Sequence, residues 1–198
     1  NALLTQINQH NGNVYWVPTA FRTKEHRKIE NAKAFFCIRA DIDYGSIGHK
    51  KTSIHPNRET ALDAIKSFPI KPSFIIDSGF GFHVYWLLDS RIELNTENIE
   101  FIESIQKGMH QALGGDSTHS IVQPFRVPGT RNFKDPNNVR IASIISAHPE
   151  LRYSLDVFKE FYVEPIAKKK ICHAAQSKQV LLIDDVDVPE NLESVLND

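Results

Sequence analysis

The stretch "PSFIIDSGFGFHVYWLLDS", residues 72–90, limits the fold of this chain more than any other segment. It reads as two apolar strands joined by a turn, with glycines at its centre. In the second strand Phe82, Val84, Trp86 and Leu88 take one face, while His83, Tyr85 and Leu87 take the other. A hairpin built only for a core has no need of Asp77, Ser78 and His83. All three gather at the turn end, which marks that end as a candidate for chemistry.

The other elements follow from punctuation and periodicity. Residues 2–10 read as a short helix ended by Asn11-Gly12, and "NVYWVP" as a strand stopped by Pro18. "FRTKEHRKIENAK" is charged and aperiodic, the mark of a solvated loop. "AFFCIRADIDYG" is a strand broken at Gly45. Alternation sends Phe36, Ile38, Ala40 and Ile42 into a core and Cys37, Arg39, Asp41 and Asp43 to the opposite face.

"PNRETALDAIKSF" has helical spacing, and a longer helix is expected over 95–113 with Phe101, Ile102, Ile105, Met109 and Ala112 as its stripe. Gly114-Gly115 supplies its left-handed stop. "VRIASIISA" reads as a strand, "SLDVFKEFY" as a short helix and Val180–Ile183 as a further strand. Strands and helices mix without strict alternation, so the expected class is α+β. The expected division is a catalytic domain over 1–167 and a C-terminal extension or linker over 168–198. The chain opens at Asn1 without a methionine and reads as a domain excised from something longer.

With 41% hydrophobic and 24% charged residues, the 198-residue chain has ordinary globular composition. It has no membrane-length apolar run, so no membrane partner is expected. Two distant cysteines, Cys37 and Cys172, exclude a disulfide framework and a zinc ribbon. They fit a reducing, cytoplasmic location. The net charge of −1 conceals an asymmetry, because residues 183–198 carry six acids and no Lys or Arg, leaving residues 1–182 at +5. A basic body of that kind is compatible with a nucleic-acid partner.

Asp41 and Asp43 share one strand face, where two carboxylates repel unless something positive lies between them; a hard divalent ion is one answer. Taken alone, DxD is explained as well by a turn starting at Asp43 and an Asp41 paired with Lys or Arg. His83 follows "SGFG", where Gly79 and Gly81 let the backbone approach a ligand closely. Backbone N–H groups there, with the Ser78 hydroxyl and the His83 imidazole, form a possible phosphate cradle. The loop after residue 113 adds the acid Asp116 and the donors Arg126, Asn132 and Lys134 around a "VPGT" turn, suited to a triphosphate. No Walker or Rossmann spacing occurs.

The order of these pieces, DxD at a strand end, then SGxGxHxYW, then D-x9-R-x-PGT-x-N-x-K, resembles the archaeo-eukaryotic primase superfamily. It is most similar to the primase-polymerase branch of plasmid and phage replication proteins and CRISPR-associated enzymes. The resemblance runs from about Val14 to Ala147. It implies a catalytic core with an RRM-like antiparallel sheet and an accompanying α/β module. It also implies two Mg²⁺ or Mn²⁺ ions held by Asp41, Asp43 and Asp116, with His83 contacting the triphosphate. Ser120 and Gln123 stand where many relatives have an acid and an arginine.

The reaction so implied is template-directed nucleotidyl transfer from dNTPs or NTPs on single-stranded DNA, both starting and extending primers. Asp41, Asp43, Asp116 and His83 would be catalytic. Ser78, Gly79, Gly81, His83, Arg126, Asn132 and Lys134 would bind nucleotide, and Lys50, Lys51 and 22–28 the template backbone. Helicase, replication or CRISPR adaptation proteins are possible partners. Two alternatives stay open: a non-catalytic RRM-like module stacking nucleic acid on Phe82, Tyr85 and Trp86, and a GGDD-type polymerase or cyclase suggested by "LGGDS".

Overall fold

A computed structural model describes residues 8–9, 12–46, 53–115 and 119–164. The proposed helix over 2–10, the 167/168 boundary, Asp116, Lys50, Lys51 and the Val180–Ile183 strand lie outside the described residues, wholly or for the most part.

The long strands form as the alternation predicts. β1 (Tyr15–Trp16), β2 (Thr19–Phe21) and β3 (Ala32–Asp43) precede the hairpin of β4 (Phe74–Asp77) and β5 (Gly81–Glu93). Between β3 and β4 lies α1 (Arg58–Lys66), and after β5 comes α2 (Thr96–Leu113). The rest are short: β6 (Phe125–Arg126), β7 (Arg131–Asn132), β8 (Arg140–Ile141), β9 (Ser143–Ala147) and β10 (Arg152–Tyr153), then a 3-10 segment at Leu155–Phe161.

The main sheet has the order β2-β3-β5-β4-β9, every neighbour pair antiparallel, with β10 running parallel beside β5. β1 and β6 form a separate ribbon, as do β7 and β8. The fold is α+β, as expected.

Both helices begin on asparagine caps. The Asn57 side chain accepts the Thr60 N–H at 2.9 Å. Asn95 and Asn98 exchange side-chain-to-backbone bonds in a reciprocal capping box. α2 ends where Gly114 adopts φ +66°, a conformation that costs a residue with a Cβ about 1 kcal/mol. The "LGGDS" glycines are therefore a helix stop, which removes the motive for a GGDD reading. Ile102, Ile105, Met109 and Leu113 form the buried stripe of α2, whereas Ala112 is exposed. The expected stripe was one residue out at its C-terminal end.

The helices and the 3-10 segment cover one face of the sheet, enclosing Phe35, Ile38, Ala40, Ile42, Val84, Trp86 and Ile105. Trp86 is wholly buried and donates its indole N–H to the Ile70 carbonyl at 2.8 Å. Burying a large apolar side chain contributes about 1.5–3 kcal/mol, provided its polar atom finds a partner. Phe82 is also wholly buried and Tyr85 is 3% exposed. The stacking platform required by an RRM-like binding module is therefore absent at these rings.

One expectation about β3 fails. Phe36 is 42% exposed while Phe35 is wholly buried. The register jumps between Phe35 and Cys37, because Phe35 faces Ile92 but Cys37 faces Leu87. The irregularity shifts the alternation by one residue, so Phe35 replaces Phe36 in the core. Beyond it, the predicted alternation holds through Asp43.

Candidate active site

Asp41 lies opposite His83 in the β3–β5 ladder, and Asp43 opposite Gly81. Both carboxylates line a cleft of about 310 Å³ with Ser78, Phe80 and His83 on their side. Asn13, Tyr15, Pro124, Arg126, Asn132 and Lys134 line it as well. Four stretches far apart in sequence thus bring acids and cationic or amide donors to one cavity. Gly79 and Gly81 do not line it.

His83 is 6% exposed, and its ring meets Phe125 edge-on at a centroid distance of 4.9 Å. Burial lowers its pKa to about 3, with the nearby Arg126 cation pushing the same way. The imidazole is therefore neutral at pH 7, and its 3.9 Å approach to Asp41 Oδ1 is no ion pair. Its Nδ1 is buried and has no hydrogen-bond partner among the described residues. A neutral ring can donate one hydrogen bond but adds no positive charge to the cleft. The cationic side chains lining the cleft are Arg126 and Lys134.

The turn at the hairpin tip proves to be largely committed to itself. Ser78 N–H and Oγ both donate to the Gly81 carbonyl, at 2.8 and 3.1 Å. Gly79 N–H donates to Asp77 Oδ1 at 2.8 Å. The Ser78 carbonyl accepts from Asn132 Nδ2 at 2.6 Å, and the Gly79 carbonyl from Arg140 Nη1 at 2.6 Å. Arg58 Nε bonds Asp77 Oδ2 at 2.9 Å from the outer side. A cradle built from the Ser78 and Gly79 N–H groups is thus not formed, because those donors close the turn. The turn acts as scaffold: it fixes Asn132 and brings Gly81 so close to β3 that a Cβ there would lie 2.9 Å from Asp43 Oδ1.

Arg126 is the best-held cation of the cleft. Its Nη1 donates to Asn13 Oδ1 at 2.8 Å and to the Arg131 carbonyl at 3.3 Å, and its Nη2 to Tyr15 Oη at 2.9 Å. Burial lowers its pKa, and the Tyr15 hydroxyl opposes that shift. Nothing in the sequence pointed to Asn13 or Tyr15. The Asn13–Arg126 bond joins residues 113 positions apart, beyond any local pattern.

The far side of β3 is closed by α2. Next to Asp41, β3 has β5 on one side only, since β2 pairs with residues 32–35. His110, buried on α2, accepts the Asp41 backbone N–H on Nε2 at 3.0 Å and so donates from Nδ1 to the Gln106 carbonyl at 2.7 Å. Gly115 then packs so tightly that an added Cβ would lie 2.7 Å from the Asp41 carbonyl oxygen. The residue immediately before Asp116 is therefore seated against Asp41.

Below this region Arg39 is buried, and its described hydrogen bonds all go to neutral acceptors. It donates to the carbonyls of Pro18, Ser120 and Ile121 and to the Thr19 hydroxyl. Its guanidinium lies over the Phe35 and Phe125 rings at 5.1 and 5.5 Å. Arg39 holds the 119–125 segment against β3 and does not line the cleft.

Asp41 and Asp43 offer hard oxygen donors at the cleft wall and fit a divalent ion by that chemistry. Among the described residues no group of three His, Cys, Asp or Glu gathers into a metal site. No described helix is long and apolar enough to cross a membrane.

No family model matches the sequence, and no curated protein matches it at the sequence level. Solved structures do match in fold. The AEP domain of the cyanophage S-2L primase-polymerase aligns with a TM-score of 0.59 at 16% identity, covering 82% of this chain and 77% of that one. The catalytic domain of primase RepB′, in complex with initiator DNA, aligns with a TM-score of 0.53 at 12% identity, covering 81% and 68%. A second RepB′ structure gives 0.52 at 12% identity; there this chain spans 46% of its counterpart. The chain shares the fold of the primase-polymerase AEP domain and of the RepB′ catalytic domain.

Proposed function

We propose that this domain is a nucleotidyltransferase that copies a single-stranded DNA template, starting and extending primers from nucleoside triphosphates. The observation that carries this reading is the cleft itself: Asp41 and Asp43 on one wall, with Arg126, Asn132 and Lys134 lining the same cavity. A cleft with acids for cations and fixed donors for phosphates suits phosphoryl transfer, where catalysis is mostly positioning and charge stabilisation.

Asp41 and Asp43 would hold divalent cations, Mg²⁺ or Mn²⁺, with Asp116 as third acid; its neighbour Gly115 abuts Asp41. Such ions, when bound, lower the pKa of an attacking 3′-hydroxyl and stabilise departing pyrophosphate. Arg126 presents its guanidinium to the triphosphate, and Lys134 adds a second charge. His83, neutral and rigidly packed, donates one hydrogen bond from Nε2, the nitrogen nearer Asp41. Asn132 is held by the hairpin turn and fixes the wall between these groups. The RepB′ catalytic domain in complex with initiator DNA supports DNA as the macromolecular partner.

The deciding experiment is nucleotide incorporation with Mg²⁺ or Mn²⁺ on primed and unprimed single-stranded DNA, for the wild type and Asp41→Asn/Asp43→Asn. Incorporation by the wild type alone supports the reading. Equal activity in the folded double variant, or none in the wild type with any nucleotide set, overturns it.

A further inference from the structure

The cation wall of the cleft is not part of the main sheet. β7 pairs only with β8, and β6 only with β1, among the described residues. Short two-residue ladders cannot by themselves fix a guanidinium to the tolerance that phosphate recognition needs. Asparagine side chains take over that task.

Asn13 Oδ1 accepts from two donors, Arg126 Nη1 at 2.8 Å and the Phe133 backbone N–H at 3.2 Å. It therefore ties the arginine to the 131–134 segment. Asn8 is 8% exposed and treats Arg131 as a neighbouring strand would. Its Oδ1 accepts the Arg131 N–H at 2.8 Å, and its Nδ2 donates to the Arg131 carbonyl at 3.1 Å. That same carbonyl receives Arg126 Nη1. Tyr15 Oη takes one Nη2 proton at 2.9 Å, and the guanidinium carbon lies 4.8 Å from the centre of its ring.

An arginine has five N–H donors. The bonds just described use both Nη1 protons and one on Nη2. Among the described residues none accepts from Nε, and Nη2 has Tyr15 as its one described acceptor, so donors remain for a phosphate oxygen. We propose that Asn13, backed by Asn8 and joined by Tyr15, is a positioning residue that holds Arg126 at the cleft it lines, with its remaining donors kept for the phosphates of the incoming nucleotide. The N-terminal segment would then belong to the nucleotide site, although its residues carry no catalytic chemistry. This inference rests on the nucleotide-binding reading above.

The test uses the full 198-residue chain, titrated calorimetrically with dGTP and with GTP in Mg²⁺. Arg126→Ala, Asn13→Ala, Tyr15→Phe and the double variant Asn13→Ala/Arg126→Ala are compared, with melting temperature for each. Tyr15→Phe removes only a hydroxyl, so it remains informative if Asn13→Ala does not fold. Loss of one bond to a charged group should weaken Kd by about tenfold in Asn13→Ala and somewhat less in Tyr15→Phe. The signature of positioning is non-additivity: in the Arg126→Ala background, Asn13→Ala should have no further effect on Kd. Additive losses, or single variants with wild-type Kd while Arg126→Ala binds weakly, would overturn the inference and leave the functional reading intact. A wild type that binds neither nucleotide would overturn both.

Discussion

Gly115→Ala tests the joint between α2 and the acidic strand. The added methyl would sit 2.7 Å from the Asp41 carbonyl oxygen, 2.8 Å from Ile42 Cδ1 and 3.1 Å from His110 Cδ2. The first contact is with β3 backbone that the ladder to β5 holds in place, so the helix terminus must move instead. Overpacking of this kind costs about 1–3 kcal/mol. In a domain of this size each kcal/mol lowers Tm by about 2–4 °C, so a drop of about 2–12 °C is expected. Displacing Gly115 against the Asp41 strand should slow incorporation well beyond that, since a shift near 1 Å at the proposed reacting centre can cost about 100-fold. The assay is thermal unfolding beside single-turnover primer extension, run well below the variant's Tm. Gly129→Ala is the control: it has φ +84° but no atom within 4 Å of the added Cβ. It should lose about 1 kcal/mol to backbone strain and keep its extension rate. A Gly115→Ala protein with wild-type Tm and rate would refute the close approach of Gly115 to Asp41.

Further outcomes are expected. Asp41→Ala with Asp43→Ala should abolish both priming and extension without lowering Tm in chelator, because two repelling acids leave a solvent-facing cleft; a large Tm loss would make them structural. Arg126→Ala and His83→Ala should each reduce incorporation efficiency by roughly ten- to a hundredfold, one charge-assisted or buried hydrogen bond being worth about 1.5–3 kcal/mol. His83 also predicts a pH dependence of stability. Its folded pKa is depressed to about 3, below an unfolded value near 6.5. Its contribution is therefore complete above about pH 6.5 and declines as pH falls toward 3, by on the order of 1 kcal/mol at pH 5.5. Denaturant unfolding in chelator should show that decline in the wild type and a smaller one in His83→Gln; equal slopes would return the ring to solvent. Truncation after Ala167 should keep extension on a preformed primer, measured beside de novo priming; loss of extension would place the tail in the catalytic fold.

Local pattern made much of this domain legible. The hairpin, the strand ending in Asp41 and Asp43, both helices and the Gly114 stop follow from periods of 2 and 3.6 and from capping residues, which act within a few positions. The motif order also pointed to the fold, and of the described residues it marked, Asp41, Asp43, Ser78, His83, Arg126, Asn132 and Lys134 line one cleft while Gly79 and Gly81 do not. Tertiary structure decided what depends on distant partners. The jump at Phe36 comes from the irregular β3–β5 pairing, and strand alternation has no means of registering a partner's bulge. The neutrality of His83 comes from burial beside Phe125, 42 residues away in sequence by their numbers. Ser78 and Gly79 looked like ligand donors because their types suit that role, yet the closed turn consumes their hydrogens. Asn8, Asn13, Tyr15 and His110 carried no signal at all. Each acts through a single hydrogen bond or pair of bonds to a remote backbone or side-chain atom, and such bonds leave no periodicity in a sequence.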